Sequence, residues 1–189
     1  MMKTGKNKRL LASILAASML LAMSPFALAE GTEGQEQPVE GGGTEQTCAA
    51  KIGETEYSTL AGAIYDANSD VTIVMLRDVT ENIKINKSLT LDLDEHTLSG
   101  DGDAEAAVVT ISGDETQVTV ENGTVTGGKK SGIRITDADV TLTKLTVTKN
   151  ASTGDGGGID AVKGKKLVVE QCAINENTAK NRGGGILVE

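Results

Sequence analysis

The segment "KNASTGDGGGI" (Lys149–Ile159) decides the fold, because its pattern of one asparagine followed by three glycines and an isoleucine occurs twice. The second copy lies in "NENTAKNRGGGI" (Asn175–Ile186). Asn150 precedes Gly156 by six residues, and Asn177 precedes Gly183 by the same six. A phrase repeated at this distance indicates a repeated structural unit rather than one active site.

Two further patterns repeat around these phrases. Four segments share the form V-x-V followed five residues later by another apolar residue: "LDLDEHTL" (Leu91–Leu98), "VTVENGTV" (Val118–Val125), "VTLTKLTV" (Val140–Val147) and "LVVEQCAI" (Leu167–Ile174). A second set of short apolar runs begins at Val109, Ile133, Ile159 and Ile186. Alternating Val, Ile and Thr is typical of strands. Repetition at about 25 residues predicts an all-β parallel β-helix with three short strands in each coil.

The alignment also predicts which residues stack on successive coils. Leu91 is expected to pair with Val118 on the next coil. Asp92 would then pair with Thr119, and no second carboxylate would stack on it. Arg134 is expected beside Asp160, on the outer face of the next set of strands, as a surface ion pair.

The predicted site residues are structural ones at the corners of the coils. Asn150 and Asn177 are expected to form a hydrogen-bonded ladder along the solenoid. The glycines that follow allow positive φ angles and close approach of the backbone. These corner glycines are Gly156, Gly157, Gly158, Gly183, Gly184 and Gly185.

The domain predicted at residues 48–189 needs a lid over its first coil. Apolar residues at helical spacing predict an amphipathic capping helix at about 57–67, with the coils starting at about 71. At the other end, "GILVE" stops within a predicted strand. We therefore expect a chain that is truncated there, or a last coil that a partner covers, for example by end-to-end self-association.

The first residues predict export. Four basic residues, an apolar stretch and an A-x-A site at Ala27–Ala29 identify residues 1–29 as a signal peptide. Residues 30–47 are acidic and contain one apolar side chain, Val39, which predicts a flexible linker. The protein is thus expected to be extracellular or at the cell surface, with no membrane insertion after cleavage.

The net charge of the protein limits the classes of partner that it can bind. Removal of residues 1–29 removes four basic residues and no acidic one, so the formal net charge changes from −9 to −13. This charge excludes nucleic acid as a partner. Polysaccharides and host surface proteins remain as partners.

Two resemblances cover nearly all of the chain after Cys48. The segment from Ala50 to Gly100 resembles the entry segment of exported right-handed β-helix proteins of the pectin-lyase-like superfamily. The later coils, with [V/I]-x-x-N before GGGI, are similar to the repeats of polymorphic outer-membrane proteins and related bacterial adhesins, although Val or Ile replaces their Phe. The resemblances imply a right-handed parallel β-helix.

The residues indicate no catalytic or metal site. Pectate lyases of that superfamily hold calcium with converging aspartates and use an arginine as base, and no such cluster is predicted here. We expect no cofactor; were calcium bound at all, the corner Asp101-Gly102-Asp103 would hold it. The lone His96 is expected to pack as a structural residue.

Two functions follow from these expectations. The first is a non-catalytic, adhesin-like surface module that binds glycans or host proteins. The alternative is the N-terminal part of a polysaccharide lyase or another polysaccharide-active enzyme. The sequence does not establish whether the protein is an enzyme, but it favours a non-catalytic function.

Overall fold

The computed structural model describes residues 48–163 and 165–189, which fall within one compact unit, Gly43–Glu189. The predicted signal peptide and linker, residues 1–29 and 30–47, lie outside the described residues. One helix, α1 (Leu60–Asp66), occurs in the described part of the chain. Its strands are β1 (Ala50–Ile52), β2 (Thr55–Tyr57), β3 (Val71–Met75), β4 (Val79–Thr80), β5 (Ile83–Ile85), β6 (Leu89–Asp92), β7 (Thr97–Ser99), β8 (Val109–Ser112), β9 (Gln117–Thr126), β10 (Ile133–Thr136), β11 (Asp139–Thr148), β12 (Ala151–Ser152), β13 (Ile159–Val162), β14 (Lys166–Glu170), β15 (Ala173–Asn175), β16 (Thr178–Ala179) and β17 (Ile186–Val188).

The strands stack as a parallel β-solenoid, which confirms the predicted fold class. One sheet runs in the order β14-β11-β9-β6-β3-β1-β2, with β4, β7 and β15 joined to it. A second sheet, here called the B sheet, runs in the order β17-β13-β10-β8-β5. Strands β12 and β16 form a third, two-stranded sheet; along the chain, each follows a strand of the first sheet and precedes a strand of the B sheet. Neighbouring strands of the B sheet are 24 to 27 residues apart in sequence, as the repeat spacing predicts.

Two of the three predicted strands in a coil form one continuous strand with a bend. β9 and β11 each run for ten residues, and their bends lie at Asn122 (φ 56°) and Lys144 (φ 52°). In the next coil Gln171 (φ 53°) separates β14 from β15. A single residue in the left-handed region turns the chain at each of these positions without ending the ladder.

The interior of the solenoid is filled by stacked aliphatic side chains. In the B sheet, Ile133 pairs with Val109 on one side and with Ile159 on the other, and all three are buried. Burial of a full row of such side chains, at about 25 cal/mol per Å² of apolar surface, is the main stabilising contribution to a solenoid.

The predicted register of one segment is wrong. Leu89, not Leu91, pairs with Val118, and Leu91 pairs with Val120. Leu98 nevertheless pairs with Val125 as predicted, because the coil that contains β6 and β7 holds two more residues between these points than the coil that contains β9. A turn at Asp94 and Glu95, both with positive φ, accommodates the two residues.

A hairpin and a helix cover the first coil. β1 pairs with β2 and with β3, in both cases antiparallel. Tyr57, expected in the helix, belongs to β2, so the helix begins at Leu60 rather than at about 57. The Thr59 hydroxyl accepts a hydrogen bond from Gly62 N at 3.1 Å, as an N-cap. The Glu81 carboxylate accepts two more, from Leu60 N and Ala61 N.

Candidate functional site

The structure brings the two predicted corner asparagines together. Asn150 is 1% exposed, and its Nδ2 donates to Asn177 Oδ1 at 3.0 Å. The same amide group donates to Val125 O and Thr148 O at 3.2 and 3.1 Å. Its Oδ1 accepts from Gly128 N at 2.8 Å. The Asn150 side chain thus connects the backbone of its own coil and of the preceding one with the Asn177 side chain of the next coil.

The glycines after Asn150 lie where two coils approach closely. A Cβ atom on Gly157 would be 2.3 Å from Thr178 O, and one on Gly158 would be 2.5 Å from Gly185 O. Gly156 has a φ of 58°, and a Cβ there would be 2.3 Å from the Cβ of Asp160. The second set of glycines is less crowded, since the nearest atom to a Cβ on Gly185 would be 3.8 Å away. Within the first set, Gly156 is the glycine that packs against Asp160.

A recess of about 390 Å³ lies on the outer face of the B sheet, and we call it the Asp160 recess. It contains carboxylates, cations and small polar groups in one concavity. Its lining residues are Ala104, Glu105, Lys130, Arg134, Ser152, Thr153, Gly154, Asp155, Asp160, Val162, Leu187 and Glu189.

Asp160 is the most unusual residue of this recess. Its side chain is 2% exposed, and its Oδ2 accepts a hydrogen bond from Arg134 Nη1. Its Oδ1 has no hydrogen-bond partner among the residues that the structure describes. A buried polar atom without a partner is costly, typically by about 1–3 kcal/mol, and such atoms call for a functional or structural explanation.

The environment of Asp160 favours its neutral form. Burial raises the pKa of the Asp160 carboxyl above its ordinary value of 3.8, and the nearby carboxylates of Asp155 and Glu189 raise it further. The Arg134 guanidinium opposes this rise. The prediction of a surface ion pair is therefore wrong: the two residues pair as expected, but Asp160 is buried.

Arg182 binds two further carboxylates of the recess, those of Asp155 and Glu189. Its Nη2 lies 3.0 Å from Asp155 Oδ2 and 2.6 Å from Glu189 Oε1. Its backbone N donates to Asp155 Oδ1 at 3.0 Å. The hydrogen bonds from Arg182 lower the pKa of the Asp155 carboxyl. The recess therefore combines a charged Asp155 at its rim with an Asp160 whose ionisation is disfavoured.

Sequence reasoning missed Asp160 as a site residue, although a signal was present. The column on the outer face reads Thr110, Arg134, Asp160 and Leu187, so Asp160 has an apolar neighbour on the next rung. Gly156 precedes it by four residues and packs its backbone against it. A carboxylate that lies between an apolar side chain and the backbone of a glycine has little contact with water.

The remaining predicted positions form no comparable site. Asp92 pairs with Glu121, which contradicts the expectation of no second carboxylate in its column and follows from the shifted register. His96 Nδ1 lies 3.5 Å from Asp78 Oδ1. Within residues 48–163 and 165–189, no group of three or more His, Cys, Asp or Glu side chains is arranged to hold a metal ion.

The corner considered for calcium uses its carboxylates to form turns. Asp101 Oδ1 accepts from Asp103 N at 2.9 Å and from Asn82 Nδ2. Asp103 Oδ1 accepts from Glu105 N at 2.8 Å. The two contacts to backbone N–H groups are ordinary Asx turns.

No protein-family model, curated protein or solved structure matches this chain. The class of the protein is therefore defined by its own architecture, a parallel β-solenoid with a hairpin and helix at its first coil. None of the described residues forms a helix long and apolar enough to cross a bilayer.

Proposed function

We propose that this chain is an exported, non-catalytic β-solenoid module that binds glycans in the Asp160 recess. The observation that carries the proposal is the buried Asp160 carboxyl, with one oxygen bound to Arg134 and the other without a partner. Because this oxygen has almost no accessible surface, a ligand hydroxyl would satisfy it only after a shift of the side chains that cover it. A solenoid also offers a rigid support, on which a binding group keeps its position without a ligand.

The mixture of groups in the recess suits sugar hydroxyls. A hydroxyl is both donor and acceptor, so it pairs best where both kinds of partner lie side by side. Asp155 and Asp160 supply acceptors, while Lys130 and Arg134 supply donors. The formal charge of −13 after cleavage disfavours polyanionic glycans at long range and favours neutral ones.

A glycan fits the recess better than a host protein does. Specific protein interfaces bury about 800 Å² on each partner and have an apolar centre. The Asp160 recess is a small concavity with mostly polar lining. Export and a surface location are supported by the signal-peptide pattern in residues 1–29 and by the resemblance of the coils to adhesin repeats.

The test is a screen of the purified protein against an array of neutral and acidic oligosaccharides, followed by titration calorimetry. Asp160→Asn keeps the shape of the side chain, removes its charge and replaces one of its two acceptor oxygens by an NH2 donor, so it should weaken binding by about tenfold, which is about 1.4 kcal/mol. Asp114→Asn is the matched control, because it makes the same charge change at an exposed ion pair outside the recess. Unchanged affinity for Asp160→Asn would refute the assignment of the recess.

One observation favours a polysaccharide-active enzyme as the second candidate. A carboxyl with a raised pKa can act as a general acid, and Asp160 has a second carboxylate, Asp155, in the same recess. Incubation with pectin and added calcium, followed by detection of 4,5-unsaturated uronates, tests the lyase form. Release of new reducing ends from neutral polysaccharides tests the hydrolase form. Turnover that is lost in Asp160→Asn would replace the binding-module proposal, whereas binding without turnover supports it.

A further inference from the structure

A second recess lies at the other end of the B sheet, between α1 and β5. Its volume is about 590 Å³, and we call it the Tyr65 recess. It is lined mainly by Ala61, Ile64, Tyr65, Asn82, Lys84 and Asn86. An apolar helix face thus meets a strand that presents amide and ammonium groups, which is the composition of a small-molecule site.

Tyr65 is exposed in a chain that has few aromatic residues. Its side chain is 84% exposed, and only one other aromatic residue, Tyr57, occurs after residue 29. The backbone that carries the ring is held in place, since Lys87 Nζ donates to Tyr65 O at 3.1 Å and to Ala67 O at 2.9 Å. An exposed tyrosine on a fixed backbone offers a flat apolar face at low entropic cost.

Polar groups line the same recess as this ring. Asn82 Nδ2 donates to Asp101 Oδ1, whereas Asn82 Oδ1 has no hydrogen-bond partner among the described residues. Lys84 points outward between the buried Ile83 and Ile85. The Tyr65 recess therefore combines an apolar platform with one unsatisfied amide oxygen and two ammonium groups, those of Lys84 and Lys87.

The two recesses lie on one continuous strip of the B sheet. Lys84 pairs with Thr110, Thr110 with Arg134, and Arg134 with Asp160. Three strand spacings of about 4.8 Å place the two ends of this column about 14 Å apart. The segment that follows β7 borders both recesses, because Asp101 contacts Asn82 and Glu105 lines the Asp160 recess.

We propose that the Tyr65 recess is a second subsite for the same glycan, in which a sugar ring of a neutral oligosaccharide stacks on Tyr65. The oligosaccharide runs along the Lys84–Asp160 column, parallel to the solenoid axis. This inference rests on the proposed function, because it takes the Asp160 recess as the first subsite. It adds that the preferred ligand is a chain of several sugar rings rather than a single sugar.

The experiment compares short and long probes. Disaccharides and hexasaccharides of cellulose, xylan, mannan and chitin are titrated into the full protein and its variants. For at least one series, the hexasaccharide should bind about tenfold more tightly than the disaccharide. Tyr65→Ala should reduce hexasaccharide affinity about three- to tenfold, as expected for one stacked ring, and leave disaccharide affinity unchanged. Tyr65→Phe keeps the ring and should retain the affinity for the hexasaccharide.

The outcomes separate this inference from the proposed function. If Asp160→Asn weakens both probes and Tyr65→Ala changes neither, the Tyr65 subsite is refuted and the Asp160 recess stands. If Asp160→Asn has no effect, or if none of the eight probes binds the wild-type protein, the proposed function fails and the inference fails with it. Thermal melts of each variant check the fold, and Tyr65→Ala should melt as wild type because the side chain is exposed.

Discussion

Replacement of Asn150 by alanine should destabilise the solenoid more than any other single truncation of a corner side chain. The amide group makes four hydrogen bonds, with Nδ2 donating to three oxygens and Oδ1 accepting from Gly128 N. In Asn150→Ala the buried Gly128 N and Val125 O lose their partner in a place that water does not reach.

The magnitude follows from these contacts. A hydrogen bond contributes about 1 kcal/mol net, and a buried group left without a partner costs about 1–3 kcal/mol. Three acceptors share the two N–H groups of Nδ2, so their contributions do not add fully. We expect a loss of about 3 kcal/mol in the free energy of unfolding.

Urea denaturation followed by far-UV circular dichroism measures the effect. Asn177→Ala should cost about half as much, because Asn177 is only partly buried and makes fewer such bonds. Asn175→Ala, at an exposed position two residues earlier, should change the free energy of unfolding by less than about 0.5 kcal/mol. A loss below about 1 kcal/mol for Asn150→Ala, or equal losses for Asn150 and Asn177, would refute the reasoning.

Three further predictions concern pH, the cap and a corner glycine. Because the folded-state pKa of Asp160 is raised, the folded protein binds more protons, so the stability of wild type relative to Asp160→Asn should fall as pH rises from 3.8 through that pKa. In contrast, Lys165 lowers the pKa of Asp114, so wild type should gain stability relative to Asp114→Asn as pH rises towards 3.8. Urea melts between about pH 3 and 7 test the direction of both changes in stability. Glu81→Ala should cost about 1–2 kcal/mol in urea melts, because two N–H groups at the start of α1 lose their acceptor, and an unchanged midpoint would contradict this role. Gly157→Ala should cost at least about 2 kcal/mol because its Cβ would overlap Thr178 O, whereas Gly154→Ala, whose nearest atom would be 3.9 Å away, should be nearly neutral in the same thermal and urea melts.

The repeats predict the architecture because every coil must place apolar side chains at the same inward-facing positions. Ile133 and Ile159 must face inward on successive rungs, and their spacing alone determines the register of the B sheet. The register of Leu91 could not be obtained in this way. Leu89, Leu91 and Leu93 alternate and are all buried, so two alignments fit the pattern equally well, and only the turn at Asp94 and Glu95 decides between them.

The candidate site was harder to predict, since exposure depends on contacts between distant segments. The sequence placed Arg134 beside Asp160 but could not show that Asp160 is buried, because the backbone of Gly156 and the last described rung surround it. Tyr65 falls within the predicted helix at about 57–67, but the sequence alone does not show how exposed its ring is. Its 84% exposure arises because Leu60, Ala63 and Ile64 take the buried face of a helix that is shorter than predicted.

Under the proposed function, different kinds of residue determine stability and binding in this fold. Asn150, Gly157 and the inward aliphatic side chains follow the repeat, so a change in any of them affects every coil that stacks on it. Asp160 and Tyr65 depart from the repeat, and neither side chain belongs to the apolar interior, although Asp160 does pair with Arg134 of the preceding coil. If this division is correct, Asn150→Ala should lower the free energy of unfolding while the folded fraction keeps its glycan affinity. At neutral pH, Asp160→Asn should lower the glycan affinity without lowering the free energy of unfolding. A solenoid can therefore acquire a binding strip through single substitutions on one face without altering the interactions that hold its coils together.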